Sequence, residues 1–179
     1  MPRMFPLIAA LAIAGSPVNA AADWREYVYP DDRFAIQFPA EPRLRTAPYE
    51  TGIASGVSAR IYSVEFENIL FEATVVDLDR LIEHGANFVI EATDKLQNAG
   101  EVVFHDFPRI AFGPGVVLTY GLTTVVDTKD GRRIRSTSYV ANRRFYKIDA
   151  IVLPARGDKD QIVPSRFDQT LRFDVAGRN

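Results

Sequence analysis

The feature that most constrains the fold is a run of three alternating segments joined by very short turns. Val116 to Thr128, Arg132 to Val140 and Arg144 to Val152 each alternate in the manner of β-strands. Lys129-Asp130-Gly131 and Ala141-Asn142-Arg143 separate them, and Asp-Gly and Asn tolerate the positive φ that tight turns require. Because such short connections join antiparallel neighbours, we expect a β-meander.

The register of this meander can be counted if both turns hold two residues. One face is then mostly apolar and should contact the core, with Arg135 as its charged exception. The apolar members of this face are Tyr120, Leu122, Val126, Tyr139, Tyr146, Ile148, Ala150 and Val152. The opposite face mixes polar with apolar side chains, as in a sheet that is half solvated or imperfectly covered by a helix.

Five polar side chains on the mixed face form a candidate partner-binding surface. Hydroxyl groups can donate and accept hydrogen bonds, and a lysine with an aspartate adds one charged pair. The five residues are Thr123, Ser136, Ser138, Lys147 and Asp149. Because antiparallel sheets commonly leave one face in water, an ordinary solvated surface is the alternative interpretation.

Further strands are predicted ahead of the meander. The segment Arg33 to Phe38 alternates and is followed by proline, which is typical of a half-buried strand and its end. A loop from Pro48 to Gly56 leads into a second strand. Glu67-Asn68 then forms a turn into a third strand, Ile69 to Val76.

One amphipathic helix is predicted between Asp79 and Gly100, which are suited to begin and to end a helix. Its apolar side chains recur at helical spacing, so the helix should lie on the sheet. Gly85 within it indicates a close approach to a strand. Glu91 and Lys95 are four residues apart on the face expected to contact water.

The remaining parts of the chain have weaker patterns. The segment between the predicted helix and Gly113-Pro114-Gly115 is expected to be irregular. A short closing helix should start near Asp160 to Pro164, since proline is tolerated in the first turn of a helix. Phe167 and Leu171 would then face the sheet together.

The first 22 residues have the pattern of a secretory signal peptide. Arg3 precedes an apolar run from Met4 to Gly15, and small residues follow it. The run is shorter than the roughly 20 residues that span a bilayer as a helix. We therefore expect cleavage after Ala20 or Ala22 and a periplasmic or secreted protein, with an uncleaved anchor as the alternative.

Residues 23–179 are expected to form a single domain, since this length can bury one sizeable core. The sequence has no cysteine but 12 Phe and 7 Tyr, so apolar burial must hold the fold together. The lack of thiols excludes amino-terminal lipidation, a cysteine nucleophile and zinc–thiolate sites. Removal of Arg3 leaves 20 basic and 23 acidic residues, net −3, which predicts no long-range attraction to nucleic acid or anionic lipid.

Residues suited to catalysis do not form a recognisable constellation. His84 and His105 are the only histidines and lack the spacing of metal ligands, so we expect no catalytic residues, no metal and no cofactor. The alternative is a periplasmic hydrolase or metal-dependent enzyme whose site assembles around His105 and Asp106. Neighbours in an extended segment point to opposite faces, which makes these two residues poor partners.

Three stretches resemble the PsbP/Mog1-like domain family. They are YPDDRFAIQFPAEP, FGPG before a strand, and RIRSTSYVANRRFYKIDAIV with a Phe-containing closing helix. The resemblance spans most of Phe34 to Phe173. It implies an α+β fold in which an antiparallel β-sheet is sandwiched between helices, an α-β-α sandwich. It also implies a non-catalytic role, since relatives of this fold bind protein partners such as a small GTPase or a photosystem.

These observations predict an exported, non-catalytic accessory or protein-interaction module of the bacterial cell envelope. The expected partner is another envelope protein. Neither nucleic acid binding nor stable membrane insertion after signal cleavage is expected.

Overall fold

An antiparallel sheet forms the centre of the fold. The structure is a computed structural model that describes residues 23–112, 117–153 and 162–173. Neither α-helix within these ranges is long and apolar enough to cross a membrane. The elements there are β1 (Arg25–Tyr29), β2 (Phe34–Phe38), β3 (Arg43–Pro48), β4 (Ser58–Phe66), β5 (Ile69–Asp77), α1 (Gly85–Gln97), β6 (Gly100–Asp106), β7 (Arg109–Phe112), β8 (Val117–Thr128), β9 (Arg133–Ala141), β10 (Arg144–Val152), α2 (Ile162–Gln169) and β11 (Arg172–Phe173). The predicted signal peptide and its cleavage after Ala20 or Ala22 lie outside the described residues and stay predictions.

The strands within these ranges are divided between a large sheet and a small one. The large sheet has the order β3-β4-β5-β10-β9-β8-β6, and β7 pairs with β8 beyond the end of β6. The small sheet has the order β1-β2-β11. The predicted meander is confirmed as the antiparallel run β8-β9-β10, and β10 also pairs with β5.

Two apolar cores lie on opposite faces of the large sheet. Tyr146 and Phe145 are neighbours on β10 and therefore point to opposite faces, each into a different core. One core contains Phe34 of β2 and Phe167 of α2, and the other contains Phe88 of α1. The α+β class with a mainly antiparallel sheet is as expected. The layer opposite α1 holds the small sheet as well as a helix.

Two hairpins have the short turns that the sequence predicts. Glu67-Asn68 joins β4 to β5, and Asn142-Arg143 joins β9 to β10, with φ between 49° and 63° at all four residues. This left-handed conformation at both central positions is typical of the two-residue turns whose twist matches the flanking strands.

The turn between β8 and β9 differs from the prediction. Lys129-Asp130-Gly131 are all in the loop, because the Thr128 amide donates to the Arg132 carbonyl at 2.8 Å. Gly131 has φ +87°, as in three-residue hairpin loops that end on a left-handed residue.

The extra turn residue makes the predicted register of β8 wrong. Thr123 is the cross-strand partner of Thr137, and Leu122 is the partner of Ser138. A shift of one residue moves every side chain of a strand to the other face. The β8 side chains predicted to contact the core beside Tyr139 therefore lie on the α1 face, and Thr123 lies on the Tyr139 face.

Helix α1 begins six residues after Asp79, the residue predicted to cap its amino terminus. Ile82–His84 instead form a short 3-10 turn, and Gly85 opens the α-helix. The predicted close approach at Gly85 is confirmed, because a Cβ there would lie 3.0 Å from Cγ1 of Val140 on β9. A glycine at this position lets α1 start in contact with the sheet.

The segment predicted to be irregular forms β6 and β7, so that prediction is wrong. A bulge between Val102 and Phe104 shifts the pairing of β6 with β8. Such a bulge breaks the alternation of side chains that identifies a strand in a sequence. Phe107-Pro108 then separates β6 from β7. Each of the two strands is therefore too short to show a clear alternation of apolar and polar side chains.

Candidate binding cleft

Four of the five residues of the predicted partner-binding surface lie together on the α1 face of the sheet. Ser138 is the cross-strand partner of Lys147. Ser136 is the partner of Asp149, whose carboxylate accepts a hydrogen bond from the Lys147 ammonium. Both serines are buried, and Asp149 is only 3% exposed. The hydroxyl groups therefore lie inside the protein, and their role in partner binding stays a prediction.

Thr123, the fifth predicted residue, lies on the other face of the sheet. The register of β8 places it beside Thr137 of β9, and it lines a cleft of about 210 Å³. We call this the Arg135 cleft. It is lined by the β6–β7 connection, by the sheet and by the end of α2; the residues used below are Asp106, Arg109, Thr123, Arg135, Tyr139 and Asp168.

A buried ion pair forms the floor of the Arg135 cleft. Arg135 Nη2 lies 2.9 Å from Asp168 Oδ2, and Arg135 Nε donates to the same oxygen at 3.0 Å. The side chains are only 11% and 7% exposed. Arg135 is the charged exception on the predicted core face, and Asp168 of α2 neutralises it. A buried charge is tolerated only with such a partner.

Two threonine hydroxyls extend this ion pair across the sheet. Thr137 Oγ1 donates to Asp168 Oδ2 at 2.7 Å, and the Thr123 and Thr137 hydroxyls lie 2.8 Å apart. Asp168 Oδ2 thus accepts three hydrogen bonds, whereas the buried Oδ1 has no donor within the described ranges.

Tyr139 forms part of the wall because its ring lies over a glycine. A Cβ at Gly121 would come within 2.4 Å of Tyr139 Cε1, so only glycine permits this contact. Burial raises the pKa of the Tyr139 phenol, and the negative charge of Asp168 raises it further. The phenol therefore stays neutral, as the apolar contacts of its ring require.

Two exposed phenylalanines belong to the part of the chain that forms the cleft wall. Phe104 contacts the Arg135 guanidinium, with Arg135 Cζ 5.8 Å from the ring centroid, and is 43% exposed. Phe107 lies in the β6–β7 connection between two residues of the cleft wall, Asp106 and Pro108, and its 73% exposure is the highest among the large apolar side chains whose burial the structure describes. We call Phe104 and Phe107 the aromatic rim.

The charges that line the Arg135 cleft cancel. Arg135 and Asp168 neutralise one another at the floor. Arg109 and Asp106 are exposed residues of the wall and carry opposite charges. The Asp106 carboxylate accepts a hydrogen bond from the Phe107 amide at 2.8 Å. The cleft therefore offers guanidinium donors and carboxylate acceptors without a net charge.

His105 and Asp106 face opposite sides of the sheet. The His105 ring is within hydrogen-bonding distance of Thr124 Oγ1 (3.1 Å) and Gln97 Nε2 (3.2 Å), on the α1 side. Asp106 lies on the side of the Arg135 cleft. No group of three or more His, Asp or Glu side chains suited to hold a metal ion occurs in the described part of the chain. The structure does not bring these two residues together.

Arg135 and Asp168 carry the site, and the sequence prediction did not include them. The available signal was Arg135 itself, a charge on a face otherwise predicted to be apolar, which requires a buried partner. Nearby arginines pair at strand ends instead, as in the Arg133–Asp127 pair at 2.6 Å. Asp168 is 33 residues away from Arg135 along the chain, so sequence spacing could not identify it.

Comparisons with known proteins support the fold. No family model matches the chain, and no curated protein matches it in sequence. The solution structure of cyanobacterial PsbP (CyanoP) from Synechocystis sp. PCC 6803 is similar in three dimensions. The TM-score is 0.51 at 13% sequence identity, over 89% of this chain and 98% of that one. This likeness supports a PsbP-like fold for the chain.

Proposed function

We propose that this chain is a non-catalytic accessory module of the bacterial cell envelope that binds another envelope protein. The contact surface is the Arg135 cleft with its aromatic rim. The observation that carries the proposal is the position of Phe107, a strongly exposed aromatic residue in the β6–β7 connection, between two residues that line the concave polar site, Asp106 and Pro108.

The aromatic rim has the composition of a protein-binding surface. Single exposed apolar side chains are ordinary on soluble proteins. Here Phe104 contacts Arg135 of the cleft, and Phe107 lies between two residues that line it, Asp106 and Pro108. Aromatic residues and arginine are enriched among the residues that dominate the free energy of protein association. Their combination at one concavity supports a docking role.

The size of the cleft favours a protein partner over a free metabolite. Sites for small molecules and cofactors usually enclose about 300–1,000 Å³. The Arg135 cleft, at about 210 Å³, is smaller. It suits one side chain of a partner, while the neighbouring residues of that partner would contact the aromatic rim.

The resemblance of the sequence to PsbP/Mog1-like domains supports the same role, since it implies binding of protein partners without catalysis. The predicted signal peptide supports a periplasmic or secreted location. The alternative, a hydrolase or metal-dependent enzyme around His105 and Asp106, would require two side chains that lie on opposite sheet faces to act on one substrate. We therefore favour the binding module.

Capture of crosslinked partners from the native envelope tests this proposal. The full chain with an affinity tag is expressed in its own cells as wild type, as Phe107→Ser and as Ile90→Ser. Ile90 lies on α1, across the sheet from the cleft, and is 55% exposed, so it provides a matched loss of exposed apolar surface.

The proposal predicts that Phe107→Ser captures its partner at least about tenfold less well than wild type, as expected for a central contact residue. Ile90→Ser should capture normally, and both variants should keep the wild-type Tm. Equal capture by Phe107→Ser and wild type would show that the cleft is not the docking surface.

A further inference from the structure

We infer that the Arg135 cleft recognises an uncharged amide group, carried by an extended segment of the partner. This inference deepens the proposed function and rests on it. The amide is the side-chain carboxamide of Asn or Gln, and the test below distinguishes it from a backbone amide.

The balance of charge in the cleft disfavours a charged ligand. Arg109 and Arg135 are matched by Asp106 and Asp168. A carboxylate entering the cleft would meet two aspartates, and an ammonium would meet two arginines. Because the charges of the cleft cancel, either ion would lose hydration on entering without gaining a net electrostatic attraction.

The hydrogen-bonding groups of the cleft match both halves of an amide. The guanidinium groups of Arg109 and Arg135 can donate to a carbonyl oxygen, and the Asp106 carboxylate can accept from an N–H. Thr123 supplies a hydroxyl that can do either. An amide carries one acceptor and its donors side by side, so one ligand group uses both sets.

The apolar side chains around the Arg135 cleft favour a peptide segment over a small polar molecule as the ligand. Ile110 and Leu171 also line the cleft, and the Phe104 ring packs against Arg135. A glutamine side chain can place its methylene groups against these residues while the carboxamide reaches Arg135. The residues next to that glutamine would then contact Phe107.

Binding of small capped amino acids to the isolated protein tests the inference without the partner. The probes are the N-acetyl N′-methylamides of glutamine, glutamate, norleucine and alanine, whose caps contain no primary carboxamide. Backbone amide chemical shifts of the labelled protein report binding at Thr123, Arg135 and Asp168. Because capture of the partner is a separate measurement, failure here and failure of the proposed function can be told apart.

We expect the glutamine probe to shift these signals and to bind at least about tenfold more tightly than the glutamate and norleucine probes. The alanine and norleucine probes have only backbone amides and should bind weakly. The inference is wrong if the alanine or the glutamate probe binds as tightly as the glutamine probe, or if no probe shifts these signals.

An exposed charge reversal provides a second variant that should fold normally. Arg109→Glu would make the cleft net negative while leaving the buried Arg135–Asp168 pair intact. It should weaken binding of the glutamine probe. It should also bind the Nα-acetyl N′-methylamide of lysine, which keeps its side-chain ammonium, at least about tenfold more tightly than the wild-type protein does. An unchanged order of preference would contradict the assignment of the ligand to this cleft.

Discussion

Arg135 and Asp168 form an ion pair that joins strand β9 to helix α2, with Arg135 Nη2 2.9 Å from Asp168 Oδ2. Both side chains are almost fully buried, and Thr137 donates a third hydrogen bond to the same carboxylate oxygen. The pair therefore fixes the end of α2 against the sheet and builds the floor of the Arg135 cleft.

Removing one partner of this pair should destabilise the protein strongly. Arg135→Met leaves the buried Asp168 carboxylate without its counter-charge, which should lower the free energy of unfolding by about 3–5 kcal/mol. The double variant Arg135→Met/Asp168→Leu should lose much less than the two single variants together. Urea denaturation measures all three, and a loss below about 1 kcal/mol for Arg135→Met would contradict a buried pair.

Gly131 is the position of the β8–β9 hairpin at which a side chain should destabilise the fold. It has φ +87°, a conformation that costs an L-residue about 1–2 kcal/mol. Gly131→Ala should therefore lower the free energy of unfolding by about 1 kcal/mol. Gly52→Ala is the control, because a Cβ there has no neighbour within 4 Å. Equal stability of the two variants would mean that the hairpin does not require the left-handed residue.

The same hairpin explains how far the sequence could predict the fold. Alternation and turn residues identified β8, β9 and β10, since these strands are long and regular. The loop holds three residues rather than two, and the sequence Lys129-Asp130-Gly131 fits either length. The additional loop residue places Thr123 on the same sheet face as Tyr139. It therefore changes which side chains of β8 can line the Arg135 cleft.

The remaining differences between prediction and structure also have local causes. The bulge near Val103 hid β6, and β11 is only two residues long. The site depends on Asp168 meeting Arg135 through tertiary packing. Periodicity placed Phe167 toward the sheet, but it could not show which residue of β9 would lie opposite the next side chain.

Glu91 should hold the loop before β4 against helix α1. Its carboxylate accepts hydrogen bonds from Thr51 Oγ1 at 2.6 Å and from the Gly52 amide at 3.0 Å. Lys95 pairs with it at 2.7 Å, so the face predicted to be wet instead anchors a loop. Glu91→Ala should speed hydrogen exchange at the Gly52 amide by about tenfold.

Asp94→Ala is the matched control for Glu91, since Asp94 is an exposed residue of the same helix. It should leave exchange at the Gly52 amide unchanged. Equal exchange rates in Glu91→Ala and wild type would show that the loop is held by its apolar contacts alone.

Asp77 should make the stability of the fold depend on acid pH. Hydrogen bonding from Arg60 lowers the pKa of Asp77; partial burial opposes this effect, and the charge of Arg60 together with the hydrogen bond and charge of Arg144 lowers the pKa further. A lowered pKa in the folded state stabilises the fold above the unfolded pKa of about 3.9, and this contribution is lost as the pH falls through the folded pKa.

Asp77→Asn should therefore lower the free energy of unfolding by about 0.5–1 kcal/mol at pH 7, the range for a solvent-screened pair. The difference from wild type should shrink toward zero as the pH falls from about 5 to 2. Denaturation at several pH values measures it, with Asp94→Asn as an exposed control. A difference that stays constant across this range would exclude the linkage.

Site-specific photo-crosslinking is the most direct test of the docking surface. A benzophenone amino acid is placed at position 107 or at position 90 of the full chain in its native envelope. We predict that position 107 yields one dominant crosslinked protein, which disappears when Arg109→Glu is added, whereas position 90 yields none above background. The same crosslinked products from both positions, or none from position 107, would contradict a partner-binding role for the Arg135 cleft.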